Sequence, residues 1–257
     1  MAENKVPKSI QVIDIDAYSP PLIASRIDKV ALVKAKLSFT QTFLLGILAG
    51  VYIAIGAQFA TFVISDSALH FGLNSMIAGI VFSLGLMLVV VGGAELFTGN
   101  CLIIMGYISK RISTRDMLNN WIVSFAGNFV GSLTMVCWMS QTHQWEFFHN
   151  MVGAKALLIA NTKVNLSFSA ALARGVLCNA MVCLAIWLCF SGRSVADKIL
   201  SIVFPIGGFV ASGFEHCVVN MWLIPMGLVL KGNSAVLAAA EKFHGGKIDL
   251  SNLTFFK

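Results

Sequence analysis

The sequence predicts an all-α polytopic membrane protein built as an inverted repeat of three spans, with broken helices in spans 2 and 5. Three observations lead there. Hydrophobic residues make up 57% of the 257 residues and charged residues 12%, and the mean hydropathy is +0.82. A soluble domain has no use for so much apolar surface, whereas several spanning helices of about 20 residues do. Next, Gly93-Ala94-Glu95-Leu96-Phe97-Thr98-Gly99-Asn100 and Gly213-Phe214-Glu215-His216-Cys217-Val218-Val219-Asn220 carry Gly, Glu and Asn at matching positions 120 residues apart. Finally, Gly85 and Pro205 share that offset, and Gly50-Val51 matches Gly175-Val176 at an offset of 125. A repeat unit of three spans forces its second copy to insert upside down.

Each element follows from local signals. Residues 1–37 form the N-terminal segment. Residues 1–21 read as irregular and end in Ser19-Pro20-Pro21, a helix start. From Leu22 to Leu37, Ile23, Ile27, Val30 and Val33 recur at helical spacing, with Arg26, Lys29, Lys34 and Lys36 beside them. That pattern predicts an amphipathic helix lying on an anionic leaflet. No cleavable signal peptide is expected in this segment.

Residues 38–139 form the first repeat. Span 1 covers about Phe39–Ile64 and contains Gly46-x-x-x-Gly50. Span 2 begins near Ser75, breaks after Val91 and continues to about Tyr107. Span 3 covers about Met117–Met139, with Gly127-Asn128-x-x-Gly131 as a small, close-packing face. Residues 140–166 read as a long polar, extracytoplasmic connection. Residues 167–257 form the second repeat. Span 4 covers about Phe168–Phe190, and span 5 runs from near Asp197 to Leu230 with a break through Gly207-Gly208 to Gly213. Residues 231–257 hold no apolar run of about 18 residues, so a sixth span mirroring span 3 is expected to be absent from this chain.

Charge orients the chain. The net charge of +6 comes from Lys and Arg clustered at the ends of apolar runs. It points to membrane topology and not to nucleic acid. Six Lys/Arg precede span 1, three follow span 2 and two follow span 4, while residues 65–73 after span 1 hold none. A cytoplasmic N-terminus fits this asymmetry. Cys101, Cys137, Cys178, Cys183, Cys189 and Cys217 lie in apolar stretches without metal-type spacing, so packing is their expected role, and neither a metal nor a cofactor is expected.

The two breaks carry the chemistry. Free backbone groups are costly in lipid and are tolerated where they face protein or a cavity. Charged side chains there need a partner or a function. Glu95 and Glu215 can brace the broken ends, with Asn100 and Asn220 bonding backbone, or face a permeation path. His216 is the one histidine inside an apolar span and the side chain best poised for proton exchange near neutral pH. The breaks place Leu96, Phe97 and Thr98 on one side of such a path, and Phe209 and His216 on the other.

These residues resemble the formate/nitrite transporter family, closest to its formate branch. Gly93-Ala94-Glu95-Leu96-Phe97-Thr98-Gly99 is similar to that family's first signature. Gly175-Val176-Leu177-Cys178-Asn179-Ala180-Met181-Val182-Cys183-Leu184-Ala185 is similar to its second, and Ser212-Gly213-Phe214-Glu215-His216 with Asn220-Met221 is similar to its central histidine segment. The resemblance covers roughly residues 22–257. It implies an aquaporin-like pore in each protomer of a homopentamer in the cytoplasmic (inner) membrane. Phe82, Leu86, Leu96 and Phe209 resemble its constriction residues. Thr98 and His216 resemble the pair that meets the anion, Asn179 a chamber residue, and Lys163 a vestibule lysine that draws anions in. The implied cargo is a small monovalent anion of a weak acid, formate first, with nitrite or hydrosulfide as alternatives, passing with protons in a pH-dependent way. A membrane enzyme lacks a nucleophile, a metal set or a nucleotide motif here. A non-conducting structural or sensory membrane protein is the other class left open.

Overall fold

The computed structural model describes residues 17–255, and the irregular segment expected at the start of the chain falls largely outside them. Eleven helices follow one another, with no strand among the described residues. They are α1 (Pro20–Ala35), α2 (Phe39–Val63), α3 (Phe71–Gly92), α4 (Phe97–Asn100), α5 (Ile104–Ile108), α6 (Thr114–Ser140), α7 (Phe147–Val164), α8 (Phe168–Ser191), α9 (Val195–Ala211), α10 (Cys217–Leu230) and α11 (Ser234–His244). A 3-10 turn, Cys101–Ile103, joins α4 to α5.

Serines set the starts of four of the long helices, whereas α3 follows His70 without a side-chain cap. Ser38 with Gln41, Ser113 with Asp116, and Ser194 with Asp197 form reciprocal capping boxes at α2, α6 and α9. Each box satisfies two backbone donors that the first turn leaves free. Ser167 caps α8 through the Ala170 N–H. Four helices, α2, α3, α6 and α8, are long and apolar enough to cross a membrane.

Close backbone contacts hold the bundle. The α2–α6 seam carries Gly50 and Gly131, where an added Cβ would lie 2.2 Å from the Asn128 carbonyl oxygen and 2.0 Å from that of Ile47. The α3–α9 seam carries Gly79, where a Cβ would lie 2.5 Å from the Gly207 carbonyl oxygen. Only glycine lets helix backbones approach so closely, which is the usual way to gain dispersion contact where lipid offers no hydrophobic drive.

Four expectations need correction. Span 2 starts at Phe71, four residues early, because the Asn74 N–H already bonds the His70 carbonyl. The second break does not run through Gly207-Gly208. Helix α9 continues past them to Ala211, because Gly207 serves the contact with Gly79 and not a turn. Residues 140–166 are not simply a polar connection. After a kink at Phe148–Asn150, Val152, Ala154, Ala156, Leu157 and Ala160 line the buried face of α7, which packs on α10 and α11. Its polar residues lie on the other side and toward the ends, and this masks the core helix in the sequence. The apolar stripe of α1 is turned largely toward protein. Ile23, Ile27 and Ala31 are buried, and Ala31 joins Ile103, Ile112 and Met117 in a small core, while Val33 stays 65% exposed.

The α2–α6 seam gives a direct test. Gly131→Val should cost at least the roughly 1–3 kcal/mol of an overpacked core site, since the obstructing Ile47 atom is backbone and cannot rotate away. Gly72→Ala, which meets nothing within 4 Å, should be neutral. Thermal unfolding in detergent compares the two, and equal melting temperatures would rule out the seam as described.

Candidate functional site

Both breaks are built alike. Helix α3 ends at Gly93 with φ 83°, and α9 is followed by Gly213 with φ 68°. This left-handed conformation favours glycine. The chain then runs extended through Leu96 (φ −91°, ψ 122°) and His216 (φ −117°, ψ 115°), and a new helix starts at Phe97 and at Cys217. Each extended stretch pairs with a neighbouring span. The Glu95 N–H bonds the Leu45 carbonyl at 3.2 Å, and the Glu215 N–H bonds the Arg174 carbonyl at 3.4 Å.

At the first break, Asn128 of α6 satisfies the interrupted backbone. Its Nδ2 donates to the Glu95 and Gly46 carbonyls, each at 2.9 Å, and its Oδ1 accepts from the Phe97 N–H at 2.9 Å. One buried amide thus replaces bonds that the helix lacks there, where unpaired groups are costly.

A Lys–Glu–Asn group braces each break. Lys34 of α1 donates to Glu95 at 2.5 Å and to Asn100 Oδ1 at 3.1 Å, while Asn100 Nδ2 donates to Glu95 at 2.7 Å. Asn120 and Trp121 of α6 close this network on Asn100. At the other break, Lys163 of α7 donates to both Glu215 oxygens at 3.0 and 2.8 Å, and Asn220 Nδ2 donates to Glu215 at 2.9 Å. Both glutamates therefore act in ion pairs with little exposure, 6% for Glu95 and 11% for Glu215. Lys34, Asn120 and Asn128 escape sequence reasoning as members of this site. The signal for Lys34 was the repeat itself, because a second copy of Glu in an apolar run asks for a second cation.

The breaks meet at a buried pair. Thr98 Oγ1 lies 3.0 Å from His216 Nε2, and both residues are buried. His216 Nδ1 accepts the Val219 N–H at 3.2 Å. That contact assigns the neutral ring's proton to Nε2, which then donates to Thr98. Asn179 of α8 donates to the Thr98 carbonyl at 3.0 Å. Phe209 stacks on the His216 ring at 5.9 Å and meets Phe82 edge-on at 5.7 Å.

Two cavities lie on either side of this cluster. One, of about 400 Å³, opens beside α1 and is lined by Lys34, Val89, Glu95, Leu96, Ile186 and Phe190 among others. The other, of about 160 Å³, opens beside α7 and is lined by Phe82, Lys163, Phe209, Glu215 and His216 among others. The first uses the start of α2 and the second its end, so they face opposite ends of the bundle. Leu86 is buried on α3, one turn from Phe82. Phe97 stands apart from this group. It lines neither cavity, and its ring meets Phe125 of α6 edge-on at 5.1 Å.

Comparison with known proteins accords with this construction. Residues 21–254 match the family model described as formate/nitrite transporter. This chain belongs to the formate/nitrite transporter family. It is 39% identical over 229 residues to the formate channel FocA of Haemophilus influenzae, covering 89% of this chain and 78% of that protein. It is 40% identical over 217 residues to the formate channel FocA of Escherichia coli K12, covering 84% and 76%. A solved pentameric formate channel with formate bound superposes with a TM-score of 0.74 at 35% identity, covering 84% of this chain and 85% of that one. As a formate/nitrite transporter family member, the chain is a multi-pass membrane protein of a channel and transporter family, not an enzyme.

The braces generate two expectations. Lys34→Met leaves the Glu95 charge buried and unpaired and should destabilise by up to about 3–5 kcal/mol. Lys34→Met combined with Glu95→Leu should recover a large part of that loss. A thermal-unfolding cycle in detergent measures the coupling, and strictly additive losses would contradict the pair. The second concerns α1, whose Asp28 accepts from Ser109 and pairs with Arg111. The Ser109 hydroxyl and then the Arg111 guanidinium hold the Asp28 carboxyl below its ordinary value. A depressed carboxylate stabilises above its unfolded pKa of about 3.9 and loses that contribution as pH falls through the folded value. Protease protection of α1 should therefore persist at pH 5 and fall only in stronger acid, whereas Asp28→Asn should weaken it already at pH 7.

Proposed function

We propose that this chain forms a channel for small monovalent anions of weak acids, with formate the first candidate, and that it assembles as a homopentamer with one pore per protomer. Membership of the family and the likeness to formate channels support the cargo and the assembly. The observation that carries the mechanism is the buried Thr98–His216 contact, set where the two broken helices meet and between two cavities facing opposite ends. The second half inserts inverted relative to the first. The N-terminus and α1 are cytoplasmic, and the 140–166 segment with α7 is extracytoplasmic, in the cytoplasmic membrane of the cell.

A bare anion pays a large desolvation cost in an apolar constriction. Phe82, Leu86, Leu96 and Phe209 form the constrictions, and Phe97 supports α4 from behind. Between them, Thr98 and the His216 Nε2–H offer hydrogen bonds that replace lost water. The N-terminal ends of α10 and of the Phe97–Ile108 run add favourable potential for negative charge. Asn179 fixes the Thr98 backbone, and Lys163 offers positive charge at the α7 mouth. At neutral pH His216 acts as a neutral donor and the anion passes charged. At low pH a proton taken up on Nδ1 displaces the Val219 N–H. The imidazolium then hands its Nε2 proton by way of Thr98 to the anion, which crosses as the neutral acid. Nitrite and hydrosulfide satisfy the same requirements of size and charge and are alternative cargoes.

Formate flux in proteoliposomes tests this. His216→Gln keeps an N–H donor that does not titrate, so it should retain neutral-pH flux within about tenfold and lose the rise at low pH. His216→Phe should lose both. A pH response like the wild type in either variant removes His216 from proton transfer.

A further inference from the structure

Lys163 is the cation expected to attract anions, yet its charge is matched at bonding distance by both oxygens of Glu215. A second lysine sits eight residues earlier on the same helix, about 12 Å along it. Lys155 has no carboxylate within ion-pair distance among the described residues, and its contact is the face of Phe243, with the ammonium 5.3 Å from the ring centroid. Burial alone pushes its ammonium below the ordinary lysine pKa. It is a half-buried cation with a ring for cover and no counter-charge.

Lys155 opens into a cavity of about 340 Å³ between α7 and α11, which Ile159, Thr162, Phe243 and His244 also line and whose lining holds no acidic residue among the described residues. The Thr162 hydroxyl donates to the Leu158 carbonyl at 2.9 Å, so among the lining side chains Lys155 and His244 are the ones left to donate to an anion. At roughly 30 Å³ per water the cavity holds a small anion with part of its hydration shell. Ile159 lines both this cavity and the one containing Lys163 and His216. Lys155, Ile159, Thr162 and Lys163 follow the spacing of one helix face. The two cavities therefore adjoin along α7.

We propose that the α7–α11 cavity is a capture site for small carboxylate anions on the approach to the pore, with Lys155 as its cation and His244 as its second polar group. This rests on the channel reading above. An anion entering the cavity gives Lys155 the counter-charge it lacks, at an energetic level shallow enough to release it toward Lys163. Local concentration of an ion by a focused cation raises encounter rates roughly tenfold or more.

Two measurements test it. In proteoliposomes, Lys155→Gln should raise the formate concentration needed for half-maximal flux roughly threefold to tenfold, with the deficit narrowing as formate rises and as ionic strength rises, and Lys155→Arg should restore the wild-type dependence. Independently of conduction, acetylation of Lys155 by acetic anhydride, read by peptide mass spectrometry on the detergent-solubilised chain, should slow in formate relative to chloride at equal ionic strength. An unshifted concentration dependence in Lys155→Gln, or equal acetylation in both salts, overturns the proposal. A wild-type chain that carries no formate sinks the channel reading instead, and the acetylation result then decides the capture site by itself.

Discussion

A helix broken inside an apolar bundle must find partners for its backbone, and that requirement organises this molecule. At the first break Asn128 supplies three bonds from one side chain. It can do so because α6 lies within backbone contact of α2, and that contact in turn depends on Gly50 and Gly131. The packing seam, the cap of the broken helix and the position of Thr98 are thus one structure. Loosening any of them moves the hydroxyl that faces His216.

The glutamates add a second condition. Each brings a charge to a place where charge is costly, and each is answered by a lysine from a helix outside the four long spans, α1 at one end and α7 at the other. These helices differ in composition and setting, yet they hold matching positions against the two breaks. The ends of the bundle are coupled to its centre through them. α1 is fixed further by Asp28 on Arg111 and by Tyr18, whose ring lies between the guanidinium groups of Arg26 and Arg193. A helix outside the spans is therefore joined to turns in both halves of the chain.

The four long spans and the glycine turns beside Glu95 and Glu215 are legible because they rest on local signals, namely apolar length and glycine beside charge. The two breaks set Thr98 and His216 across one path, but their direct pairing, over 118 residues of chain, was legible only through the resemblance. Three things stayed hidden for physical reasons. The Gly207-Gly208 pair gives the same local signal for a turn as for a close helix contact, and only the presence of Gly79 decides between them. Helix α7 carries polar residues on its outer face and toward its ends, which conceal its buried alanines. Lys34 reads as one of four cations on an amphipathic helix until Glu95, 61 residues away, singles it out.

The contact of Gly79 with Gly207 has a dynamic consequence. Helices whose backbones already touch have no side-chain layer to slide or tilt upon. At that point α3 and α9 are held at one close separation, set by backbone and not by side chains. At the constrictions proposed above, the freedom that remains is rotation of Phe82, Leu86, Leu96 and Phe209 about their own bonds. For the channel proposed above, opening by such rotation would be an event of side-chain size, on the rapid timescale of rotamer exchange.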